Sequence, residues 1–134
     1  MRGKRGQALI ETALTLPVMF LLLLGFLAVL VRVEAQVELD AATGLAAAAA
    51  VSAPANSESS RAFAQETWQG TLHHYAYLAP GALSGCGAYA SGGTVTCTGT
   101  ATLRYSDTPM RVIVPFDLQI SSTATATGSE FRSR

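Results

Sequence analysis

From Thr12 to Val31 the chain runs for 20 residues without a charge, between Glu11 and Arg32. At about 1.5 Å per residue, a helix of that length covers roughly 30 Å, the thickness of a bilayer's hydrocarbon core. Arg2, Lys4 and Arg5 stand just before it. Such cationic flanks stay cytoplasmic, so the remainder of the chain is expected outside. The run thus predicts a single-pass anchor followed by an extracytoplasmic part. Glu11 is the anomaly. A carboxylate at the mouth of an apolar helix costs on the order of 2 to 3 kcal/mol if it enters the bilayer uncompensated. It needs a cationic partner or an interfacial position, where a helix N-terminus also favours it.

Three targeting readings compete. A cleavable secretory signal has an apolar region of about 7 to 15 residues followed by a small-x-small site. Here the run is longer, and Val33-Glu34-Ala35 is a poor site. A plain signal anchor needs only the charges and the helix. The third reading uses the residues around the charge cluster. Gly6 precedes Gln7, Glu11 follows five residues after the glycine, and the apolar helix lies behind it. That arrangement looks like a type IV prepilin processing site. The string Arg5-Gly-Gln-Ala-Leu-Ile-Glu-Thr-Ala-Leu-Thr-Leu-Pro17, with Leu21-Leu-Leu-Leu-Gly25 after it, resembles the TadE-like family of tight-adherence pilus proteins. Thr12 stands where that family often carries an aromatic residue.

The resemblance implies that a prepilin peptidase removes residues 1–6 by cutting between Gly6 and Gln7. Glu11 would then be the fifth residue of the mature chain. The new α-amino group on Gln7 would meet the glutamate of a neighbouring subunit, and a paired charge is tolerable in a low-dielectric bundle where a lone one is not. The implied partners are the prepilin peptidase, other pilin or pseudopilin subunits, the assembly platform and the membrane. The implied division is a leader at 1–6, an assembly helix at 7–33 and an extracytoplasmic domain at 34–134.

About 100 residues follow the anchor, enough for one small domain with a marginal core. The precursor carries no net charge; without Arg2, Lys4 and Arg5 it has six basic and nine acidic residues, net −3. No lysine follows Lys4, and the other basic residues are scattered singly, which argues against a nucleic-acid partner. The chain has no paired-carboxylate site, no Ser/His/Asp set and no phosphate loop, so catalysis and a cofactor are not expected. His73 and His74 are neighbours and would point about 100° apart on a helix, so they cannot chelate one ion together.

The predicted fold class is α+β: a long N-terminal helix continuing into a small domain, with a second helix on a three- or four-stranded antiparallel sheet. One helix is expected over 8–52. Pro17 favours a kink or local opening within it. Gly25 and Ala28 make a thin spot for another helix. The small residues from Ala41 to Ala50 admit either close packing or an ordinary low-complexity helix, which periodicity does not separate. Ala53-Pro54 ends the helix. A second helix is expected over 57–79, with Ala64, Trp68, Leu72, Tyr75 and Ala79 as its apolar stripe and Pro80-Gly81 closing it. A loop follows over 82–93.

Residues 94–105 alternate as a half-buried strand, with Val95, Cys97, Ala101, Leu103 and Tyr105 on one face and threonines on the other. After a turn at Ser106–Pro109, Met110 to Ile120 keep an even register, as an edge strand or one broken at Pro115. Residues 121–127 suit a final strand, and 128–134 a solvated tail. If Ser91-Gly92 is a turn, Cys86 faces Cys97 and Ala88 faces Val95. A disulfide at Cys86 and Cys97 would stabilise by about 2 to 3 kcal/mol in an oxidising compartment. The rival, a metal or catalytic thiol pair, lacks the short spacing and a nearby His, Asp or Glu. Two functions are carried forward: a minor pilin or pseudopilin, and an anchored binding domain that presents its threonine-rich strands without polymerising.

Overall fold

The computed structural model describes residues 3–53, 57–87 and 93–128. In chain order the elements are α1 (Gly3–Ser52), α2 (Ser57–Leu72), β1 (Leu78–Ser84), β2 (Thr94–Leu103) and β3 (Leu118–Thr127). Short 3₁₀ turns at Tyr105–Asp107 and Pro109–Val112 lie between β2 and β3. The fold is α+β, as expected.

The 50 residues of α1 form one helix, a rod of about 75 Å. It continues through Pro17, whose ring nitrogen offers no N–H to the carbonyl of Ala13. Its first half is covered by no part of the domain: Leu14, Met19, Leu22 and Phe26 are all more than half exposed. Its second half is the spine of the domain. Ala35, Leu39, Ala42, Ala46 and Ala50 recur every three or four residues and are buried, with Thr43 and Ala47 beside them. The alanine run is therefore a packing face. It meets α2 on one side and β2 and β3 on the other.

The stripe expected on α2 holds at Ala64, Trp68 and Leu72, all fully buried. The helix nevertheless ends at Leu72, one to two turns before the expected end at Ala79. His73, His74, Tyr75 and Tyr77 are weak helix formers, and the chain turns through bonds from the Tyr75 N–H to the Leu72 carbonyl and from the Leu78 N–H to the Tyr75 carbonyl. Leu78 can then enter the core opposite Leu103.

Pro80 and Gly81 do not close a helix; they lie inside β1. Residues 82–84, expected as loop, continue that strand. The edge of a sheet tolerates a residue without an N–H, and β1 is such an edge, the order being β1-β2-β3 and wholly antiparallel. The register shifts by one residue between Pro80 and Leu83. The Thr100 hydroxyl fills the gap, accepting from the Ala82 N–H at 3.0 Å and donating to the Ala82 carbonyl at 3.2 Å.

β2 carries the expected alternation, with Val95, Cys97, Ala101 and Leu103 buried. Met110 to Phe116 do not form a strand. Thr108 competes locally: its hydroxyl donates to the Tyr105 carbonyl at 2.8 Å and accepts from the Met110 N–H at 3.2 Å. Pro109 fits the start of the resulting 3₁₀ turn. Met110 and Val114 pack against the core from this turn, while Val112 and Phe116 point out. The strand expected over 121–127 is present and begins earlier, at Leu118. The expected turn at Ser91-Gly92, the Ala88–Val95 pairing and the tail from 129 fall outside the described residues.

Both helices come close to the central strand at Gly99. A Cβ there would lie 2.9 Å from Thr43 Oγ1 and 2.9 Å from Trp68 Nε1, both on buried side chains. Both helices thus rest on one bare stretch of backbone. Gly99→Ala is expected to destabilise the domain by roughly 1 to 3 kcal/mol through overpacking, read as a lowered midpoint of denaturant unfolding followed by Trp68 fluorescence. Thr125→Ala on the open face should stay within about 0.5 kcal/mol.

Candidate functional site

The candidate site residues fall in three places along α1 and the sheet. Gly6 and Gln7 belong to the first turns of α1; their side chains lie outside the described residues. Glu11 follows Gln7 by one turn, and positions four apart share a helix face. The Glu11 side chain is exposed, and its own carbonyl accepts from the Thr15 hydroxyl at 2.6 Å. With Thr12, Thr15, Leu16 and Met19 it borders a shallow open groove. Among the described residues, the domain buries no residue of the 18-residue apolar window. Among the described residues, no cationic side chain pairs with Glu11.

The second place is where the domain grips the helix. The Tyr105 hydroxyl donates to the carbonyl of Ala28 at 3.0 Å. The thin spot expected at Gly25 and Ala28 is thus met at Ala28 by a tyrosine of the same chain, whereas the space around Gly25 is open. Two to three turns further on, Glu34 and Glu38 line a small cleft with Tyr75, Tyr77, Leu78 and Leu103. The Tyr75 hydroxyl is bonded to Glu38, and this bond, with the nearby charges of Glu38 and Glu34, holds its proton above the ordinary tyrosine range. Burial does the same to Tyr105, against a smaller opposing pull from Arg32. Gln36 then ties α1 to β3, its side-chain amide donating to the Ser121 carbonyl at 3.1 Å and to Asp40 at 3.0 Å. The sequence places Tyr105 on the apolar face of its strand. It carries no signal for Ala28 as the partner, 77 residues away.

The third place is the cysteine pair. Cys86 and Cys97 form a disulfide, with Cα atoms 4.8 Å apart. Cys86 lies just beyond β1, placed by a turn at Gly85 with φ of +83°, where a Cβ would run into the Thr96 carbonyl. The left-handed backbone and the close approach both require glycine there. A cleft of about 520 Å³ opens beside the bridge, between Arg61 and Gln65 of α2 and the end of β1. Among the described residues, Arg61 is the ionisable side chain lining it.

His73 and His74 stand apart chemically: the His74 ring bonds back to the Gly70 carbonyl at 3.0 Å. Among the described residues, no three His, Cys, Asp or Glu side chains are grouped to hold a metal ion. On the outer face of the sheet, Thr94, Thr96 and Thr98 pair with Thr127, Thr125 and Thr123, and the Thr98 and Thr123 hydroxyls are 3.2 Å apart.

These features define a class: a small disulfide-bridged α+β domain carried on one helix long and apolar enough to cross a membrane. No protein-family model, curated protein or solved structure matches the chain.

Two outcomes follow. Replacing both cysteines, Cys86→Ser with Cys97→Ser, is expected to cost about 2 to 3 kcal/mol by the loop-entropy relation, seen as a lower unfolding midpoint that reductant reproduces in the parent chain. Tyr75 and Tyr105 should ionise later than an ordinary tyrosine in a spectroscopic pH titration. Because the folded-state value of Tyr105 is raised, its contribution is complete below the unfolded value near 10 and is lost as pH climbs through the folded value. Tyr105→Phe should remove one late titration and about 0.5 to 1.5 kcal/mol of stability.

Proposed function

We propose that this chain is a minor pilin or pseudopilin, a structural subunit of a tight-adherence type IV pilus or of its assembly complex. The observation that carries the reading is the apolar half of α1, with no residue of its 18-residue window buried, and a carboxylate at its mouth. A helix of that kind has to be covered. A bilayer covers it before assembly, and packed helices of other subunits cover it afterwards. Inside packed helices, away from an interfacial position, Glu11 needs a cationic partner, and the α-amino group freed on Gln7 by a cut after Gly6 supplies one. The proposal therefore includes the prepilin peptidase and other pilin-like subunits as partners. It places residues 1–6 in the cytoplasm and the domain outside, and it assigns no catalysis and no cofactor.

The rival is a signal-anchored binding domain that keeps its leader and never polymerises. The buried alanine face of the outer half of α1 favours it to this extent: it packs in a core cluster built from this chain alone. Intact-mass measurement separates the two. Chain produced with its cognate prepilin peptidase should begin at Gln7; a retained Met1 in that setting assigns the anchored-domain role. Glu11→Ala should leave membrane insertion unchanged and reduce fibre formation at least tenfold. Full fibre formation by that variant would remove Glu11 from assembly.

A further inference from the structure

We propose that the connection between β2 and β3 is a second membrane contact, with Val112, Ile113 and Phe116 seated in the outer lipid–water interface beside α1. The inference rests on α1 crossing the membrane and goes beyond it.

The first observation is where the connection lies. Gly99 faces Thr43, and Leu103 shares a cleft with Val31, Glu34 and Ala35. Four strand residues advance about 13 Å, and eight or nine helical residues cover the same length. β2 therefore runs antiparallel to α1, towards its apolar half. Two residues beyond Leu103, the Tyr105 hydroxyl reaches the carbonyl of Ala28, in the last turn of the uncharged run that ends at Val31. The 14 residues between β2 and β3 thus start level with the outer end of the span. Ser106 and Asp117 close the neck, the Ser106 N–H donating to Asp117 Oδ1 at 3.3 Å.

The second observation is what the connection exposes. Val112 is 85% exposed, Phe116 62% and Ile113 37%. Met110 and Val114, from the same segment, are turned into the core. The segment therefore has an inner apolar side that the domain covers and an outer apolar side that it does not. The outer face of β2 and β3, by contrast, is mostly threonine and serine. Arg111 sits among the apolar tips, exposed and without an acidic partner among the described residues. Asp107 is spanned by Arg104 at 3.6 Å, and Asp117 holds the neck.

Apolar tips with a cationic side chain between them suit a lipid interface, where side chains enter about 5 to 10 Å and arginine stays with the phosphates. The occupant follows from position. The bilayer that covers the apolar half of α1 has its outer surface at this level, so the exposed tips meet lipid without any movement of the domain. With α1 as the first contact and this segment as the second, the domain is held from rotating about the helix axis.

The test uses the full-length chain in phosphatidylcholine vesicles containing an anionic lipid fraction, with the Cys86–Cys97 bridge intact. A polarity-sensitive fluorophore is attached to one added cysteine at a time: Val112→Cys, Phe116→Cys, Leu22→Cys or Thr125→Cys. Quenchers are carried at shallow or deep positions on the lipid acyl chains. The Leu22 label should be quenched most by the deep probe. The Val112 and Phe116 labels should shift to the blue and lose more emission to the shallow probe than to the deep one. The Thr125 label should show neither change. If Leu22 is quenched while Val112 and Phe116 behave like Thr125, the span stands and the second contact is overturned. If the two labels shift to the blue without lipid quenching, protein covers them, a second copy included, and the proposal fails likewise. If Leu22 itself escapes the deep probe, the membrane-spanning reading falls first.

Discussion

One hydrogen-bonded rod has to satisfy two different surroundings, and the rest of the structure is arranged around that demand. The first half of α1 carries leucine, phenylalanine, valine and methionine on every side, none of it covered by the domain. The second half carries alanine on the faces that meet α2 and the sheet. No loop separates the halves. The azimuth at which the domain packs on the alanine face therefore also sets the direction in which Glu11 points. A helix with a hinge at residues 33–34 would leave those two directions independent.

Alanine is the residue that lets the domain be small. The largest fully buried side chains are Trp68, Leu39, Leu72 and Leu103, too few to build a thick core. Close approach substitutes for bulk. Thr43 turns its hydroxyl back onto the Leu39 carbonyl at 2.7 Å, so it can lie against the sheet without a lost hydrogen bond. Gly99 removes the side chain that would otherwise hold α1 and Trp68 off the central strand. Dispersion attraction falls off steeply with separation, so bringing the backbones this near offsets part of what large side chains would provide. The disulfide acts on the unfolded chain instead, closing a short loop beside the same strand.

The strand direction has consequences at both ends of the domain. β2 ends near the apolar half of α1, so Tyr105, the 3₁₀ turns and the exposed Val112 and Phe116 are gathered there. The Glu38–Tyr75 pair and the Gln36 clip to β3 follow immediately beyond. The polar groups of α1 thus begin where the apolar run stops, and Gln36 and Glu38 each have a partner in the domain. At the far end the sheet presents paired threonines to solvent, distant from this boundary.

Much of the architecture was legible in the residues. An uncharged run of bilayer length, an alternation of threonine with Val95, Cys97, Ala101 and Leu103, and the spacing of Ala64, Trp68 and Leu72 each follow from a local period, and a local period is a property of sequence. The cysteine pair was legible as two thiols without metal or catalytic partners nearby, and the bridge is present. The tertiary structure decided what periods leave open. Tyr75 and Ala79 match a helical stripe, yet Leu78 opposite Leu103 draws the chain into an edge strand. Met110 to Phe116 match a strand, yet the Thr108 hydroxyl and Pro109 satisfy the backbone locally and turn half of those side chains outward. Whether the alanines pack, and that Tyr105 reaches Ala28, depend on contacts between residues far apart in the chain. Such contacts leave no repeat behind, because the energy that selects them comes from surfaces brought together only on folding.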